Sequence, residues 1–578
     1  MKRWVTKDVD INYESIAKRY HVSEVFAEIL AKRGANSWNE LDVYLLDDRA
    51  PAVIVTPAES MAGMKEAAVI LQQKIEAGKK IRVIGDYDVD GVMASYILHQ
   101  GITRLGGQVS YQIPHRQRDG YGIRSYMAEQ AASEGVDTIV TCDNGISAID
   151  AIKRAKELGL TVVLTDHHEV LTVDGAEQIP PADAIIDPKQ AACGYGYRDL
   201  CGAGIAFKLI EYMFRLQGKE EEAKEFLPFA AIATVCDVVP LQGENRNITK
   251  WGLRLIAQTK NPGLQALMQQ MNLKQEIMAT DFAFRLGPCI NAAGRLEDAA
   301  QSLELFLETN AAEAERKAEY LHELNENRKL IQDRAFRSAV QQIEQEALPK
   351  VLVIYSAECS ESVAGIVAGK LREKYYRPVY VLTDSGKELK GSGRSIPGYH
   401  MQQALVECRE LLTQFGGHAK AAGFSLEKEN LEALREKLLE NCSLSEKDFI
   451  EEIYYDAEVS LADITEELVK YLSYLEPIGE GNAEAAFVKR DAEIVSIHMC
   501  GRENQVAQMK LRENGKIYEA VDFHAEEHLG AAIKARYGEA VWEEMKAGRE
   551  GAYLVDLLFN VGIYNRYGTI QYQIEDCR

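Results

Sequence analysis

From Lys79 onward the chain alternates short β-branched runs with helical segments, and three of those runs end in acids. IRVIG leads into Asp86, Asp88 and Asp90 of GDYDVDG. TIVTC leads into Asp143 of DNG, and TVVLT into Asp166, His167 and His168 of DHHE. The stretches between them, VMASYILHQGITRLG and SAIDAIKRAKELG, carry apolar residues at helical spacing. This alternation predicts a parallel, doubly wound sheet covered by helices on both faces. Ligands of such sheets bind outside the carboxyl ends of the strands, beside a switch in strand order. All three acidic motifs fall at such ends, so they can converge in one cleft.

Each motif has a plainer reading. DxDxDG begins like a calcium loop, but the twelfth position from Asp86 is Ile97 rather than Glu, and a strand precedes it instead of a helix. Asp143 alone reads as a helix N-cap, and His167-His168 as a surface pair. Three acidic strand ends in one sheet weaken these readings together. Oxygen ligands with an imidazole suit manganese or magnesium better than zinc or copper. Two such ions bridged by one carboxylate would clamp the attacking and leaving oxygens of a phosphoryl transfer. Asp237 lies in the apolar run ATVCDVVPL, where an acid is costly unless paired or metal-bound. It is a further ligand candidate, with a loop or N-cap aspartate as the alternative.

The remaining sequence bounds the architecture. At 578 residues the chain calls for roughly three or four domains. We expect a helical lead-in over 1–60, the α/β domain over 61–300 and a long helical connector over 301–347. A second α/β domain then spans 348–448, and a β-rich barrel 449–578. The ten cysteines contain no CxxC pair, which argues against a structural zinc site or a disulfide framework. Cys142, Cys236 and Cys289 read as buried fillers. No stretch is apolar over the roughly 20 residues a membrane helix needs, and the N-terminus lacks a signal-peptide core. The expectation is a cytoplasmic protein. A net charge of −23 excludes a broad basic coat for nucleic acid but not a local basic groove.

The acidic motifs resemble those of the DHH phosphoesterase superfamily, and within it the single-strand-specific exonuclease family. IRVIGDYDVDGVMAS, TCDNG, TDHH and ATVCDVVPL match its four motifs in order. PHRQRDGYG, LCGAGIAFKL and LGPCINAAGRL match further stretches. GSGRSI and FGGHAKAAGF resemble the DHH-associated domain, and LEPIGEGNAEAAF the entry to an OB-fold. The resemblance implies that Asp86, Asp88, Asp90, Asp143, His167 and Asp237 hold two Mn2+ or Mg2+ ions, with Asp143 bridging. It groups His168, Asp166 and Arg295 as catalytic. Arg116, Ser392, Arg394 and His418 line the substrate cleft, the first three around a terminal 5′ phosphate.

The activity implied is 5′-to-3′ removal of mononucleotides from single-stranded DNA during repair and recombination. The partners implied are a single-stranded-DNA-binding protein and a RecQ-type helicase, with the chain itself a monomer. Tyr564, Arg566 and Tyr567 are candidate strand contacts on the barrel, or ordinary strand residues. Three positions depart from the family pattern without removing a metal ligand. Cys359-Ser360 replaces a Trp-His pair, Cys289 an arginine, and Ala483 a proline. The alternatives are a phosphodiesterase for oligoribonucleotides or cyclic dinucleotides, a pyrophosphatase, and a non-catalytic scaffold on the same fold. The barrel speaks against short substrates, and the full set of acids against a scaffold.

Overall fold

The computed structural model describes residues 2–7, 12–34, 38, 41, 56–273, 276–345, 347–501, 504–564 and 569–578. Its contacts form two units: residues 52–450 with 479–481, and residues 1–51 with 451–478 and 482–578. The chain begins in the latter with strand β1 (Lys2–Val5) and helices α1 (Tyr13–Tyr20) and α2 (Glu24–Lys32). The run ESIAKRYHVSEVFAEILAKRG is thus two helices. His21 ends the first at a left-handed φ of 55°, and the Ser23 side chain caps the second by accepting from the Phe26 N–H.

The large unit opens with helix α3 (Met64–Glu76), strand β2 (Lys80–Ile84), helix α4 (Val89–Arg104) and strand β3 (Gln108–Gln112). Helix α5 (Ser125–Ser133), β4 (Thr138–Cys142), α6 (Ile149–Glu157), β5 (Thr161–Thr165) and β6 (Ala184–Ile186) follow. The strands form one parallel sheet in the order β3-β2-β4-β5-β6. Alternate residues explain the continuous apolar runs. Ile81, Val83, Val140 and Val163 pack under α3 and α4, while Ile84, Ile139 and Val162 pack under α5 and α6. The order reverses between β2 and β4, so the crevice above those two strands is the switch point of the sheet.

Helices α7 (Gly202–Leu216), α8 (Leu227–Cys236) and α9 (Gly287–Leu296) pack in this domain with two further helices, Gly243–Ile256 and Pro262–Gln270. The expected connector contains a short helix, Ala300–Leu307, and then one uninterrupted helix, α10 (Ala311–Ile343). Asn310 separates them, its side chain accepting from the Ala312 and Glu313 N–H groups. The first half of α10 gives Ala314, Ala318, Leu321 and Leu324 to the core of the first domain. Its second half gives Ala335, Ala339 and Ile343 to the next.

That second domain contains β7 (Leu352–Tyr355), α11 (Glu361–Tyr375), β8 (Val379–Asp384), β9 (Glu388–Arg394), β10 (Gln414–Gly417), β11 (Ala421–Glu427) and α12 (Leu431–Glu440). The sheet order is β10-β11-β9-β8-β7, parallel only between β7 and β8. Helices α10 and α11 cover one face and α12 the other.

In the smaller unit, β12 (Glu451–Tyr454) pairs in parallel with β1. A short strand, β13 (Ala457–Glu458), precedes β14 (Phe487–Cys500), β15 (Val506–Glu513), β16 (Lys516–Asp522), β17 (Tyr553–Tyr564) and β18 (Thr569–Cys577). The order β14-β15-β16-β18-β17 closes through β14–β17 pairing into a five-stranded barrel. Register shifts in β14 at Ile494/Ser496 and Lys489/Ala492 give the curvature that closure needs. The lead-in does not stand alone: Phe26, Ile29 and Leu30 of α2 share a core with Leu461, Leu468 and the barrel. Arg33 pairs with Asp456 at 3.1 Å.

One buried ion pair anchors the first domain. Lys208 of α7 and Glu244 meet at 2.6 Å, both almost fully buried. The Lys208 ammonium also donates to the Thr56 carbonyl, and the Tyr195 hydroxyl to Glu244. Lys208→Met leaves the carboxylate buried without its cation, at a cost of about 3–5 kcal/mol. Denaturant unfolding should show that loss, and adding Glu244→Leu should recover most of it. An unchanged midpoint for Lys208→Met would contradict the assignment.

Candidate metal centre and phosphate cavity

The loop after β2 presents three acids in three settings. Asp88 is the N-cap of α4 and accepts from the Gly91 N–H at 3.1 Å. Asp90 sits in the first turn of α4, fully buried, and accepts from the Gly202 and Ala203 N–H groups at 2.6 and 2.7 Å. These are the first two residues of α7, so a helix N-terminus holds this carboxylate. Asp86 is buried and accepts from the Gly122 N–H at 3.3 Å.

Asp143 follows β4 in the left-handed region at φ 59°, rather than capping a helix. Gly202 lies against it, where an added Cβ would come within 2.6 Å of the Asp143 Cβ. His167 Nε2 faces three acids: Asp143 at 3.1 Å, Asp90 at 3.6 Å and Asp237 at 3.7 Å. Asp237 is the C-cap of α8, not an N-cap.

These groups can hold metal. Ligand atoms of Asp90, His167 and Asp237 lie within 4.8 Å of one another, as do those of Asp86, Asp88 and Asp143. Asp143 also groups with His167 and His168 within the same limit, so it adjoins both clusters. Burial, then repulsion from Asp88, raises the Asp90 carboxyl to about 6. Burial and neighbouring acids push Asp86, Asp143 and Asp237 well above the usual carboxylate range. Burial, then His168, lowers His167 to about 3, so its imidazole is neutral and ready to ligate. Crowded oxygens with one neutral imidazole are the donor set for Mn2+ or Mg2+.

Asp166 does not face this cluster. Its carboxylate accepts from the backbone N–H groups of Ile146, His167 and His168, and meets His168 Nδ1 at 2.7 Å. It therefore orients the histidine pair. Burial opposes protonation of His168, but Asp166, joined by Asp90 and Asp88, raises the pKa on balance. The Tyr121 hydroxyl donates to the Asp143 carbonyl at 2.7 Å and lies 2.9 Å from His168 Nδ1.

A second group of residues surrounds the first turn of α11. Arg295 Nη1 donates to the Ser362 carbonyl at 2.8 Å. The Arg394 guanidinium lies against Gly365, where an added Cβ would approach it to 2.8 Å. Arg116 stacks over the Tyr87 ring at 4.6 Å and, with Ser392 and Lys390, lines a cavity of about 550 Å³. Among the described residues, none of these three arginines pairs with a carboxylate. Burial, then Arg116 and Arg328, lowers Arg295 to about 9. Burial, then Arg116, lowers Arg394. Arg295 and Arg394 do not line that cavity, which also carries Asp119 and Glu361, the latter paired with Lys390 at 3.0 Å; guanidinium groups left without carboxylate partners are suited to an anion. His418 is exposed on the turn between β10 and β11 and does not line the cavity. Partial burial, then Arg394, lowers its pKa.

The comparisons with known proteins follow this division. The DHH family N-terminal domain matches residues 80–234, the DHHA1 domain 348–443 and the RecJ OB domain 455–576. The single-stranded-DNA-specific exonuclease RecJ of Salmonella typhimurium is 35% identical over 79% of this chain and 82% of its own. The chain belongs to the RecJ exonuclease family. RecJ of Bacillus subtilis is 34% identical over 90% of the chain, which spans 66% of that relative's length. The crystal structure of RecJ from Thermus thermophilus with Mn2+ superposes with a TM-score of 0.82 at 26% identity. That match covers all of this chain and 79% of the other. The same RecJ is also known with Mg2+.

Against the usual RecJ pattern, the structure shows what each departure does locally. Cys289 is fully buried on α9, and its Sγ receives the Asn325 amide of α10 at 3.3 Å. Cys359 is buried, and Ser360 forms the N-cap of α11 with its Oγ 3.0 Å from that of Ser362. The Ala483 carbonyl accepts from Arg33 at 2.6 Å. The Tyr564 side chain and residues Arg566 and Tyr567 lie outside the described residues.

Sequence reasoning did not single out Gly202, Tyr121 or Asp187. Gly202 falls within LCGAGIAFKL, whose glycines were the available signal. Asp187 ends β6 as a fourth acidic strand end. It is fully buried, accepts from the Lys189 N–H at 2.8 Å, and burial raises it to about 8. The glycine carries the sharpest test: Gly202→Ala crowds Asp143 and displaces a donor to Asp90. Calorimetric titration should show Mn2+ affinity falling about tenfold or more. Unchanged affinity would mean that Gly202 does not shape the centre.

Proposed function

We propose that this chain removes mononucleotides from the 5′ end of single-stranded DNA by two-metal phosphodiester hydrolysis, in DNA repair and recombination. The observation that carries this reading is the pairing of an acidic centre with an anion cavity. The cavity contains Tyr87 and Arg116, and Tyr87 stands between the ligand candidates Asp86 and Asp88. A terminal phosphate held there sits one short step from the metals, which favours cutting at the end of a strand.

In this reading Asp90, His167 and Asp237 would hold one ion and Asp86 and Asp88 the other, with Asp143 shared. Divalent metal, when bound, supplies charge for the phosphoryl oxygens and lowers the pKa of the attacking water. The chain's own groups do the rest. Asp166 and Tyr121 fix the ring of His168, whose raised pKa suits it to donate a proton or hydrogen bond to the reacting phosphate. Arg295, fixed on the Ser362 carbonyl, offers its remaining N–H groups to a phosphate of the strand. Arg116, Ser392 and Arg394 would bind the terminal phosphate, and His418 the strand beside it. The barrel would hold the strand further on by stacking and backbone contacts.

The five segments drawn from the sequence belong to the same proposal, as do the two partners and the monomeric state. No described helix is long and apolar enough to cross a membrane. A cytoplasmic location is proposed from the ten free cysteines, which suit a reducing compartment.

The test is digestion with Mn2+ of 5′-phosphorylated single strands, against duplex and 5′-blocked controls. Mononucleotides should appear only from the free single strand. Arg394→Ala should raise KM for the phosphorylated strand about tenfold or more. Hydrolysis confined to dinucleotides would instead favour the short-substrate phosphodiesterase.

A further inference from the structure

Phe284 is 75% exposed, more than any other large hydrophobic side chain among the described residues. A mobile loop does not explain this. Phe284 lies in a π-helical turn, Phe282–Leu286, between two residues that are completely buried, Phe282 and Leu286. Asp281 and Arg285 brace the turn: Arg285 pairs with Asp281 at 2.9 Å and donates to the Met271 carbonyl. The backbone thus holds the ring outward on a rigid support. π-Helical turns of this kind recur at functional sites because they redirect a side chain at a cost in regular hydrogen bonding.

The turn is tied to the metal centre. Cys236 Sγ donates to the Phe282 carbonyl at 3.4 Å. Gly287, which follows the turn, lies against the same sulfur, where an added Cβ would come within 2.4 Å. The next residue after Cys236 is Asp237, in the cluster with Asp90 and His167. After it comes Val238, 63% exposed and held at φ 58°. A β-branched residue rarely adopts that conformation. An outward apolar side chain, Val238, therefore follows Asp237 in the chain, and the turn that bears Phe284 packs on the residue before it.

We infer that Phe284 is a stacking platform for a nucleobase of the strand whose backbone lies at the metal centre. This rests on the single-strand reading of that centre. Every base has an apolar face, so such a platform grips a strand without reading its sequence. A rigid, exposed ring loses little freedom on stacking, which is what an aromatic in a flexible loop could not offer.

Phe284→Ala tests this with little risk to folding, because the side chain is already in solvent. With Mn2+, KM for a 5′-phosphorylated single strand should rise about 5- to 100-fold. Hydrolysis of bis(p-nitrophenyl) phosphate, which has no base to stack, should be unchanged, and Phe284→Trp should restore KM. The difference between wild type and Phe284→Ala should vanish on strands made abasic over their first four nucleotides. An unchanged KM overturns the inference. So does a fall in Tm with unchanged KM, which would mean that protein covers the ring. If wild type cleaves the small diester but no single strand, the substrate reading itself fails, a result distinct from either.

Discussion

The acidic centre depends on a few backbone N–H groups aimed at Asp90. Carboxylates packed this closely repel one another, and burial adds to the cost of charging them. The Gly202 and Ala203 amides, at the N-terminus of α7, offset part of that cost for Asp90. The same glycine leaves room for Asp143 in its left-handed conformation. One helix start therefore sets the position of two acids that follow two different strands. The sheet places these acids at its order reversal, and α7 presses on them from the side. Asp166, by contrast, is saturated by backbone donors and a histidine, which is why it orients the site without entering it.

Much of this is legible in the chain. Strand-end acids announce themselves because a motif and its strand are local in sequence, so Asp86, Asp88, Asp90, Asp143 and His167 can be named from the residues alone. Contacts that span long separations cannot. The amides on Asp90 lie more than a hundred residues away, and neither the register of α7 nor its approach is written in the DYDVDG motif. The lead-in reads as separate because its helices carry ordinary amphipathic spacing. Only the packing of Phe26, Ile29 and Leu30 reveals that it shares a core with the barrel. Asp166 groups with His168 in the sequence for a similar reason. Adjacent residues look like partners in chemistry, whereas the strand end turns their side chains to different tasks. The exposure of Phe284 is invisible in FAFRL, where four apolar residues in five suggest burial and a π-helical turn is not encoded by composition.

The electrostatic plan is divided as sharply as the fold. Acids collect on the first sheet, and guanidinium groups without carboxylate partners collect around the first turn of α11. An overall charge of −23 leaves room for such a local basic cluster, because net charge says nothing of where the 66 lysines and arginines stand.

Helix α10 has a consequence for how such a protein can change over time. Its 33 residues span about 50 Å, with one half embedded in each of two cores. It behaves as a threaded rod rather than a tether. Adding a single residue near its middle would advance one domain by about 1.5 Å and also turn it by about 100°, swinging Ser392 and Arg394 of β9 away from the acids. Loops can lengthen freely, but here only an insertion close to a whole number of turns keeps the two halves in phase.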